Sequence, residues 1–378
     1  MERRFLKIII FTGLLITSCQ QIPINESNKK FVDDNTDKQN LEIDLKKQEK
    51  IISYHSDIWS YILTNSSYTS DGLDEQTLMY MNRHLQDLDK FKEFLNDSYY
   101  FIFFVIEELE NAKLPIELAF LPYIESNYDP FSISSSGAVG MWQFMPRTGR
   151  TYDLERSWWN EDRHDPFKST SAAIKYLKYL YERFDQDLYL TLAAYNAGPS
   201  FLDRQIKRNQ RRGLNTDYWS LDLSIQTRNY VPKFIAIKEL IINSDQYDIE
   251  LPFIPYEPVV AKIEIPGQVE ILTLSEYLNI KPELLYKLNA GYTKWASAPS
   301  EKSVFYIPIE QYDYFQTSEN PFSDSNQINW ISHTVETGDS LWSLARKYDT
   351  EVRIIREINF LENDLLSINA TLLIPLSK

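Results

Sequence analysis

Apolar residues recur at helical spacing through much of the first two-thirds of the chain. Between about 75 and 110 they fall three or four positions apart, the period of an amphipathic helix: Leu85, Leu88, Phe91, Leu95, Tyr99, Ile102, Phe103, Ile106 and Leu109. The same period predicts helices over 169–184, 187–196 and 229–243. The regular structure of the stretch 100–245 is therefore expected to be entirely α-helical.

Prolines and small polar residues mark the expected helix boundaries. Pro115 predicts the start of a helix, because proline favours the first turn. Pro122 predicts a kink or a new start just before Glu125, because an interior proline has no backbone N–H to donate. Ser169 or Thr170 is the expected N-cap of the helix that follows them.

The pattern changes at about 250, where two similar segments follow one another. Leu274–Asn289 aligns with Leu344–Asn359 at a constant offset, since 344 − 274 and 359 − 289 are both 70. Each segment carries two amphipathic helix signals and is followed by a short strand signal, Val304–Pro308 and Leu372–Pro375 respectively. We predict two strand–helix–helix–strand (βααβ) units, with a chance similarity of two helix pairs as the alternative.

The N-terminus has the layout of an export signal. Three cationic residues precede an apolar run that is too short to span the ~30 Å hydrocarbon layer as a standard transmembrane helix. The run ends in Ile16-Thr17-Ser18-Cys19, which resembles a bacterial lipobox. That resemblance implies a signal peptide over 1–18 and lipidation of Cys19, the single cysteine, whose acyl chains would hold the mature protein to a membrane. An ordinary secretory peptide with a chance cysteine is the alternative.

Composition and charge narrow the classes of function. A net charge of −15 over 378 residues argues against a nucleic-acid partner, whose recognition normally needs a basic surface. One cysteine cannot form an internal disulfide. The four histidines are scattered without metal-ligand spacing, so we expect no metal site.

One carboxylate lies in an unusual setting. Glu125 ends an apolar helix and precedes a turn-rich segment of serine, asparagine, aspartate and proline. Burial at such a helix end would raise the pKa of the carboxyl, because it disfavours the charged form. A general acid that works near neutral pH needs this property. Taken alone, a surface glutamate at a helix terminus is the simpler interpretation.

Three motifs argue against the interpretation of Glu125 as a simple surface residue. Glu125-Ser126 is followed by Ser134 and by Gly137–Pro146, which reads GAVGMWQFMP; Ala194–Gly198 reads AYNAG, and Thr227–Pro232 reads TRNYVP. In order and spacing they resemble the catalytic core of lytic transglycosylases with a goose-type-lysozyme-like fold, in particular the membrane-bound lytic murein transglycosylase D type. The resemblance covers about 100–245 closely and 250–310 more loosely.

The resemblance implies roles for individual residues. Glu125 matches the single catalytic acid and base, and Ser134 matches a hydroxyl that assists at the substrate N-acetyl group or at the carboxyl. The other matched positions line the sugar cleft or face the catalytic glutamate: Gln143, Met145, Tyr195 and Asn196. Trp142 could stack on a pyranose ring or belong to the core. Many relatives carry a glutamate where this chain has Gln226, so a charge at that position is missing.

The implied reaction is cleavage of the β-1,4 bond between N-acetylmuramic acid (MurNAc) and N-acetylglucosamine (GlcNAc) in peptidoglycan. Ordinary glycoside hydrolysis needs two carboxylates, whereas substrate-assisted enzymes are the exception. With one carboxylate, the family route forms 1,6-anhydro-MurNAc without consuming water and without a cofactor. Two alternatives remain: a non-catalytic peptidoglycan-binding lipoprotein, and a muramidase that uses water.

The C-terminal segment resembles a LysM module, a class that binds GlcNAc-containing glycans. Its turn and helix start are Gly338, Asp339, Ser340 and Leu341, where Gly338 allows the turn and Asp339 or Ser340 caps the helix. The alternative is that this segment only supports folding. The earlier unit lacks the Gly-Asp start, so its glycan binding is left open.

Together these observations predict an α+β multidomain protein: a mainly α lysozyme-like catalytic domain followed by small βααβ LysM-type units. The expected boundaries are a signal peptide, a tether with an N-terminal helical segment, the catalytic domain, an intermediate LysM-like unit, a linker and the LysM domain, at 1–18, 19–75, 76–247, 248–310, 311–330 and 331–378. Expected partners are peptidoglycan strands and, through the anchor, a membrane. Gln20 after the lipidated cysteine favours the outer membrane, facing the periplasm.

Overall fold

A computed structural model of the chain describes residues 57–66, 73–298, 302–319, 321–322, 330–359, 361 and 363–375. The chain divides into two compact units, 1–51 and 52–378. The predicted signal peptide, Cys19 and the predicted tether up to residue 56 lie outside the described residues. All of the described residues belong to the second unit.

The first two-thirds of the described chain is helical. Its α-helices are α1 Ile58–Asn65, α2 Glu75–Leu85, α3 Leu88–Asn96, α4 Ile102–Ala112, α5 Leu121–Glu125, α6 Pro146–Thr151, α7 Pro166–Arg183, α8 Leu188–Ala197, α9 Pro199–Arg211, α10 Ile225–Arg228 and α11 Tyr230–Ile242. Short 3-10 helices cover Ile116–Phe120, Tyr218–Ser220 and Ser244–Tyr247. The helices predicted over 169–184, 187–196 and 229–243 are confirmed as α7, α8 and α11.

Prolines set several of these boundaries. Pro115 is the N-cap of the 3-10 helix that precedes α5, and Pro122 lies in the first turn of α5, so the predicted new start before Glu125 is confirmed. Gly198, with φ +86°, ends α8, and Pro199 begins α9. This follows the general preference for glycine after a helix and proline at its first position.

The predicted N-cap of α7 is wrong. Asp165 takes that role, and its carboxylate accepts the backbone N–H groups of Phe167 and Lys168, both at 2.9 Å. Ser169 and Thr170 are instead buried one turn inside the helix. A carboxylate followed by proline at N1 supplies a stronger start than a serine three residues later.

The helices enclose one large apolar core. Helix α11 packs against α2 and α8, and α4 packs against α7. The N-terminal helix α1 belongs to this core as well, since Ile58 and Ile62 are fully buried in it. The indole N–H of Trp59 donates to the carbonyl of Pro252 at 2.6 Å, which ties α1 to the chain beyond α11.

Two βααβ units follow, as predicted. The first contains β1 Val260–Pro266, α12 Ile271–Leu278, α13 Pro282–Leu288 and β2 Lys302–Pro308; the second contains β3 Trp330–Thr334, α15 Leu341–Lys347, α16 Val352–Ile358 and β4 Thr371–Pro375. Each pair of strands is antiparallel, with Val260 opposite Pro308 and Trp330 opposite Pro375. Helices α13 and α16 begin and end 70 residues apart, so the internal repeat is confirmed.

An asparagine after the second helix closes each unit in the same way. In the first unit, the Asn289 amide donates to the Tyr306 carbonyl and its oxygen accepts the Tyr306 N–H, both at 2.8 Å. In the second, Asn359 makes the same two bonds to Leu373, also at 2.8 Å. Each side chain therefore satisfies the backbone groups of a strand that would otherwise be unpaired.

The first βααβ unit is docked on the helical region; we call the interface the seam. Its Leu288 is buried in the helical core, and the Tyr306 ring stacks on Phe167 with centroids 3.7 Å apart. Backbone bonds also cross the seam, because the Glu161 N–H donates to the Gly291 carbonyl at 2.8 Å. The second unit has a core of its own, formed around Leu341, Leu344, Ile355 and Ile374.

Part of the segment predicted as a linker, 311–330, is folded. Residues 312–317 form a short helix, α14 Tyr312–Thr317, preceded by a 3-10 turn at Ile309–Gln311. Tyr312 and Phe315 pack against the core of the first βααβ unit. Two aromatic side chains three positions apart are enough to hold a short helix on an apolar surface.

Within the described part of the chain, no helix combines the length and apolarity needed to cross a bilayer.

Candidate active site

Glu125 is the last residue of α5, and the protein encloses its carboxyl. The phenol of Tyr230, at the start of α11, donates a hydrogen bond to Glu125 Oε1. The residue itself is of intermediate exposure, so the carboxyl is enclosed by protein but still reachable. The third motif thus meets the first one at the glutamate.

The electrostatics of Glu125 match the expectation from the sequence. Burial raises the pKa of the carboxyl to about 7, while the Tyr230 hydrogen bond and the charge of Lys233 lower it in part. Burial also raises the pKa of Tyr230 well above its usual value, so this phenol stays a donor at neutral pH. A carboxyl with a pKa near 7 can both give and take a proton at physiological pH.

The loop after Glu125 folds back as a tight turn. The Ser134 hydroxyl accepts the Ala138 N–H at 2.9 Å and lies 3.0 Å from the Ser136 hydroxyl. Gly140 has φ +81°, and a Cβ there would lie 1.9 Å from the Arg163 carbonyl oxygen. Only glycine fits this position, because both the backbone conformation and the close approach exclude a side chain. Ser134 thus shapes the turn in addition to the role implied by resemblance.

Gln143 and Met145 follow in the same loop, where Gln143 is half-buried and Met145 is exposed. The Gln143 amide donates to the carbonyls of Gly140 at 2.9 Å and Ser132 at 3.3 Å. An amide NH₂ has two donors, so these bonds occupy both and leave the amide oxygen to accept a bond from a ligand. Met145 is 43% exposed, as a residue lining a cleft must be.

The second motif is hydrogen-bonded to the loop that follows Glu125. The Tyr195 phenol donates to the Trp142 carbonyl at 2.7 Å, and burial, with a smaller contribution from the charge of Glu125, raises the pKa of Tyr195. Asn196 accepts a hydrogen bond from the Thr227 hydroxyl at 3.0 Å. The structure therefore brings the three motifs together around Glu125.

Trp142 belongs to the core and does not stack on a sugar. Its side chain is 0% exposed, and its indole N–H donates to the Thr170 hydroxyl at 2.9 Å. Gln226 is exposed on α10. The charged neighbour that acts on Glu125 is a cation, Lys233, rather than a second carboxylate.

A buried ion pair that no sequence motif marks holds the loop. Arg163 forms two hydrogen bonds with the Glu161 carboxylate, both 2.9 Å long. The same guanidinium donates to the carbonyl of Phe144 at 3.0 Å and of Gly137 at 3.3 Å. Burial alone would raise the pKa of Glu161, but the bonds and charge of Arg163 outweigh it and lower that pKa. No motif marks this pair, since its partners are backbone atoms 19 and 26 residues away in sequence.

The predicted glycan-binding turn of the second βααβ unit is also built by polar contacts. Asp339 accepts the Glu336 N–H at 2.8 Å and bonds the His333 ring at 2.7 Å, which keeps the pKa of Asp339 below its usual value. Ser340 is the N-cap of α15 and forms a capping box with Ser343. Gly338 has φ +97°, and Leu341 is buried beneath the turn. Of the two predicted caps, Ser340 is the correct one.

No group of three or more histidine, cysteine, aspartate or glutamate side chains in the described part of the chain is arranged to hold a metal ion.

Comparison with known proteins assigns these regions to two domain classes. Residues 104–217 match the transglycosylase SLT domain, and residues 333–375 match the LysM domain. The chain therefore contains an SLT domain, which includes Glu125 and the first two motifs, and a LysM domain, which includes the Gly338–Leu341 turn.

Among curated proteins, the chain is 29% identical over 332 residues to membrane-bound lytic murein transglycosylase D of Escherichia coli K12, covering 83% of this chain and 72% of that protein. It is 33% identical over 108 residues to membrane-bound lytic murein transglycosylase F of Alcanivorax borkumensis, covering 27% and 22%. The lytic transglycosylase Slt of Pseudomonas aeruginosa overlays with a TM-score of 0.31 at 22% identity, over 41% of this chain and 25% of that one. An overlay at that score carries no argument about the fold.

Proposed function

We propose that this protein is a peptidoglycan lytic transglycosylase that cleaves the MurNAc–GlcNAc β-1,4 bond and forms 1,6-anhydro-MurNAc. The observation that carries the proposal is the enclosed carboxyl of Glu125, held by Tyr230 with a pKa of about 7, in an SLT domain. A murein transglycosylase related over most of the chain supports the same activity. The product chemistry would serve remodelling or turnover of the cell wall.

In the proposed first step, protonated Glu125 donates its proton to the oxygen that bridges the two sugars. The bond to C1 of MurNAc breaks, and the substrate's own acetamido oxygen stabilises the positive charge there. Tyr230 favours the carboxylate that remains, because its hydrogen bond is stronger to the charged form. The free acceptor of Gln143 and the hydroxyl of Ser134 would orient the acetamido group in this step.

In the second step, ionised Glu125 accepts the proton of the MurNAc C6 hydroxyl. The C6 oxygen attacks C1, which closes the 1,6-anhydro ring and returns Glu125 to its protonated state. One group can serve both steps because its pKa lies near the working pH. Tyr195, Asn196 and Met145 would line the sugar-binding cleft around it.

The LysM domain would hold the enzyme on its polymeric substrate through the turn formed by Gly338, Asp339, Ser340 and Leu341. We place the protein in the cell envelope, where that substrate is found. The finer proposal is a lipid anchor on Cys19 in the outer membrane, facing the periplasm. A Cys19→Ala variant tests the anchor: we expect it to leave the membrane fraction or to remain unprocessed, and unchanged sedimentation with membranes would contradict lipidation.

The experiment that tests the activity is digestion of purified sacculi by the full chain and by Glu125→Gln, with mass spectrometry of the released fragments. The amide keeps the size of the carboxyl but cannot transfer a proton, and general acid–base catalysis contributes typically 10²–10⁴-fold. Since one group plays both parts, we expect release of anhydro-muropeptides to fall by about 10⁴-fold or more.

A matched control is Glu182→Gln, which neutralises an exposed glutamate of α7 in the same domain. It should release anhydro ends at the parent rate, and circular dichroism should show both variants folded. Reducing ends instead of anhydro ends would indicate a muramidase, and no fragments would indicate a binding protein. Activity of Glu125→Gln within about tenfold of the parent would move the acid elsewhere.

A further inference from the structure

A cavity of about 470 Å³ lies in the seam, between the helical region and the first βααβ unit. From the helical side it is lined by Asn160, Asp162, Asp165 and Lys168, and from the docked unit by residues that include Lys262, Tyr292, Lys302 and Tyr306. This volume falls within the range of roughly 300–1,000 Å³ that is typical of small-molecule sites. None of the proposed active-site residues lines it.

One polar group of this cavity lacks a partner. The side-chain oxygen of Asn160 is buried and accepts no hydrogen bond from the described part of the chain. A buried acceptor without a donor costs about 1–3 kcal/mol, so such a group calls for an explanation. The oxygen has almost no surface open to solvent, so an N–H of a bound ligand, such as an acetamido or peptide N–H, would reach it once the side chain turns toward the cavity.

The charges of the cavity favour an acidic ligand. Lys168 is bridged to Asp162 at 2.8 Å, whereas exposed Lys262 has no carboxylate within 4 Å among the described residues. Asp165 is already occupied by capping α7. Lys262 stands opposite Tyr306 across the β1–β2 ladder, so a cation and an aromatic ring lie side by side at the rim. The lining carries three lysines and two aspartates, and Lys302 is bridged to Glu264 at 3.1 Å, so Lys262 is the cation that would meet a ligand carboxylate.

The cavity is connected to the catalytic loop through one short segment. Asn160 and Asp162 line the cavity, while Arg163, the next residue, donates to the Phe144 and Gly137 carbonyls of the loop. Glu161 bonds both sides, since its N–H donates to Gly291 of the docked unit and its carboxylate binds Arg163. A ligand in the seam would therefore contact the segment that positions the catalytic loop.

We propose that the seam cavity is a second binding site, separate from the cleft at Glu125, for the carboxylate- and amide-bearing muropeptide unit of a peptidoglycan strand. Its Asn160 oxygen accepts a ligand N–H, and Lys262 pairs with a ligand carboxylate. The inference rests on the proposed function for the identity of the ligand, but the site itself is defined by the residues that line it.

The test is hydrogen exchange of the full chain carrying Glu125→Gln, which cannot consume its ligand under the proposed mechanism. The probe is a purified GlcNAc–MurNAc disaccharide tetrapeptide, and a neutral chitooligosaccharide is the comparison ligand. We expect slower exchange in peptides covering 158–165 and 289–306 with the muropeptide and no change there with the neutral sugar. Because peptides are read separately, binding at the LysM turn or at the Glu125 cleft is not confused with binding in the seam.

Variants of the seam sharpen the result. Adding Lys262→Glu should weaken seam binding by about tenfold or more, because a charge-assisted bond is replaced by repulsion. Lys262→Arg should retain it, and so should Lys281→Glu, which changes an exposed lysine of the same unit that does not line the cavity. If the muropeptide left hydrogen exchange in the seam unchanged but slowed it in residues 333–348, the inference would be overturned. Equal seam protection in Lys262→Glu and the parent would overturn it too. Failure of the parent enzyme to form anhydro ends would overturn the proposed function instead.

Discussion

The two βααβ units of this chain share a fold but have different surroundings and different polar turns. The first is docked on the helical region, with Leu288 in the helical core and Tyr306 stacked on Phe167. The hydrogen bonds described for the second, 330–375, join residues of that range. The same repeat thus acts as part of a larger body in one place and as a small domain with its own core in the other.

The difference is concentrated at the turn before the first helix. The residues 70 positions before Asp339 and Ser340 are Val269 and Glu270. Val269 is fully buried, and Glu270 makes no side-chain cap, whereas Asp339 and Ser340 hold a polar, capped turn. Exposure follows the same division, since Trp342 of the second unit is 65% exposed. Val269 is buried in the core of its own unit, so apolar packing holds the first turn, whereas polar bonds hold the second.

The largest expected effect on wall binding comes from removing the second unit. Deletion of 331–378 should lower the affinity for insoluble sacculi by at least about tenfold, the loss of one good contact or more. Cleavage of soluble glycan chains should remain, because the deletion leaves the helical region and the seam intact. Co-sedimentation with sacculi measures the first quantity, and mass spectrometry of soluble products measures the second. If the deletion variant sedimented with sacculi as well as the parent does, another region would be responsible for wall binding, and the two units would not differ in this property.

Substituting the asparagine that closes each unit tests the stability of the two units separately. Asn289→Ala and Asn359→Ala each leave a strand N–H and C=O unpaired, which should cost about 2–3 kcal/mol of unfolding free energy. Since the first unit is docked, Asn289→Ala should lower the melting temperature of the helical region and the activity with it. Asn359→Ala should destabilise the second unit alone. Calorimetry, with activity measured below each transition, distinguishes the two variants. If both variants gave the same thermal profile, docking would not couple the first unit to catalysis.

The two regions should also respond to pH in opposite directions. The pKa of Glu125 rises from about 4.5 to about 7 on folding, so the folded state binds more protons than the unfolded state between these values. Unfolding free energy should therefore fall as pH rises from 4.5 to 7. At 1.36 kcal/mol per pKa unit, and reduced for partial exposure, the loss is about 1–2 kcal/mol. Glu125→Gln should be more stable than the parent by that amount above pH 7 and equal to it below about pH 4.

Asp339 provides the contrasting case, because its pKa is lowered by the Glu336 N–H and by His333. Its contribution to the second unit should be present above the ordinary aspartate pKa and be lost as pH falls through the lower, folded value. Urea unfolding at several pH values measures both effects. A parent and a Glu125→Gln protein with the same stability at every pH would show that Glu125 is not desolvated.

The smallest expected effects come from substituting two glycines, Gly291 and Gly338, for two different physical reasons. At Gly291, in the seam, an added Cβ would lie 2.8 Å from Asp165 Cβ, so Gly291→Ala crowds the interface. At Gly338, with φ +97°, nothing lies within 4 Å, so Gly338→Ala costs only backbone strain. Each should cost on the order of 1 kcal/mol. The first should affect the helical region and the second only the C-terminal transition; the reverse assignment would contradict the docking described above.

Local patterns in the sequence predicted much of this structure. The helical period located α7, α8 and α11, and the offset of 70 located both βααβ units. Where local signals competed, the prediction was less accurate. Asp165, rather than Ser169 or Thr170, caps α7, because the aspartate-proline pair starts the helix earlier. The segment around α14 lacked a periodic signal, yet Phe315 folds there against a neighbouring core.

The candidate site shows the same limit. Glu125 could be identified from its apolar helix and the turn that follows, and the rise of its pKa is confirmed. Trp142 could have been core or cleft on sequence alone, and its contact with Thr170 decides for the core. Arg163 could not be identified, because its partners are backbone carbonyls that every residue has.

The sequence by itself determined the helices, the strands and the internal repeat, since these depend on periodicity and spacing along the chain. The residues of the proposed carbohydrate site were predicted from the resemblance of three motifs. Only the tertiary structure decided which repeat is docked, which arginine holds the loop, and how strongly the Glu125 carboxyl is desolvated. Those properties depend on atoms far apart in sequence, such as Tyr230, which lies 105 residues from Glu125. Desolvation and ion pairing are set by distance in space, which local sequence patterns do not encode.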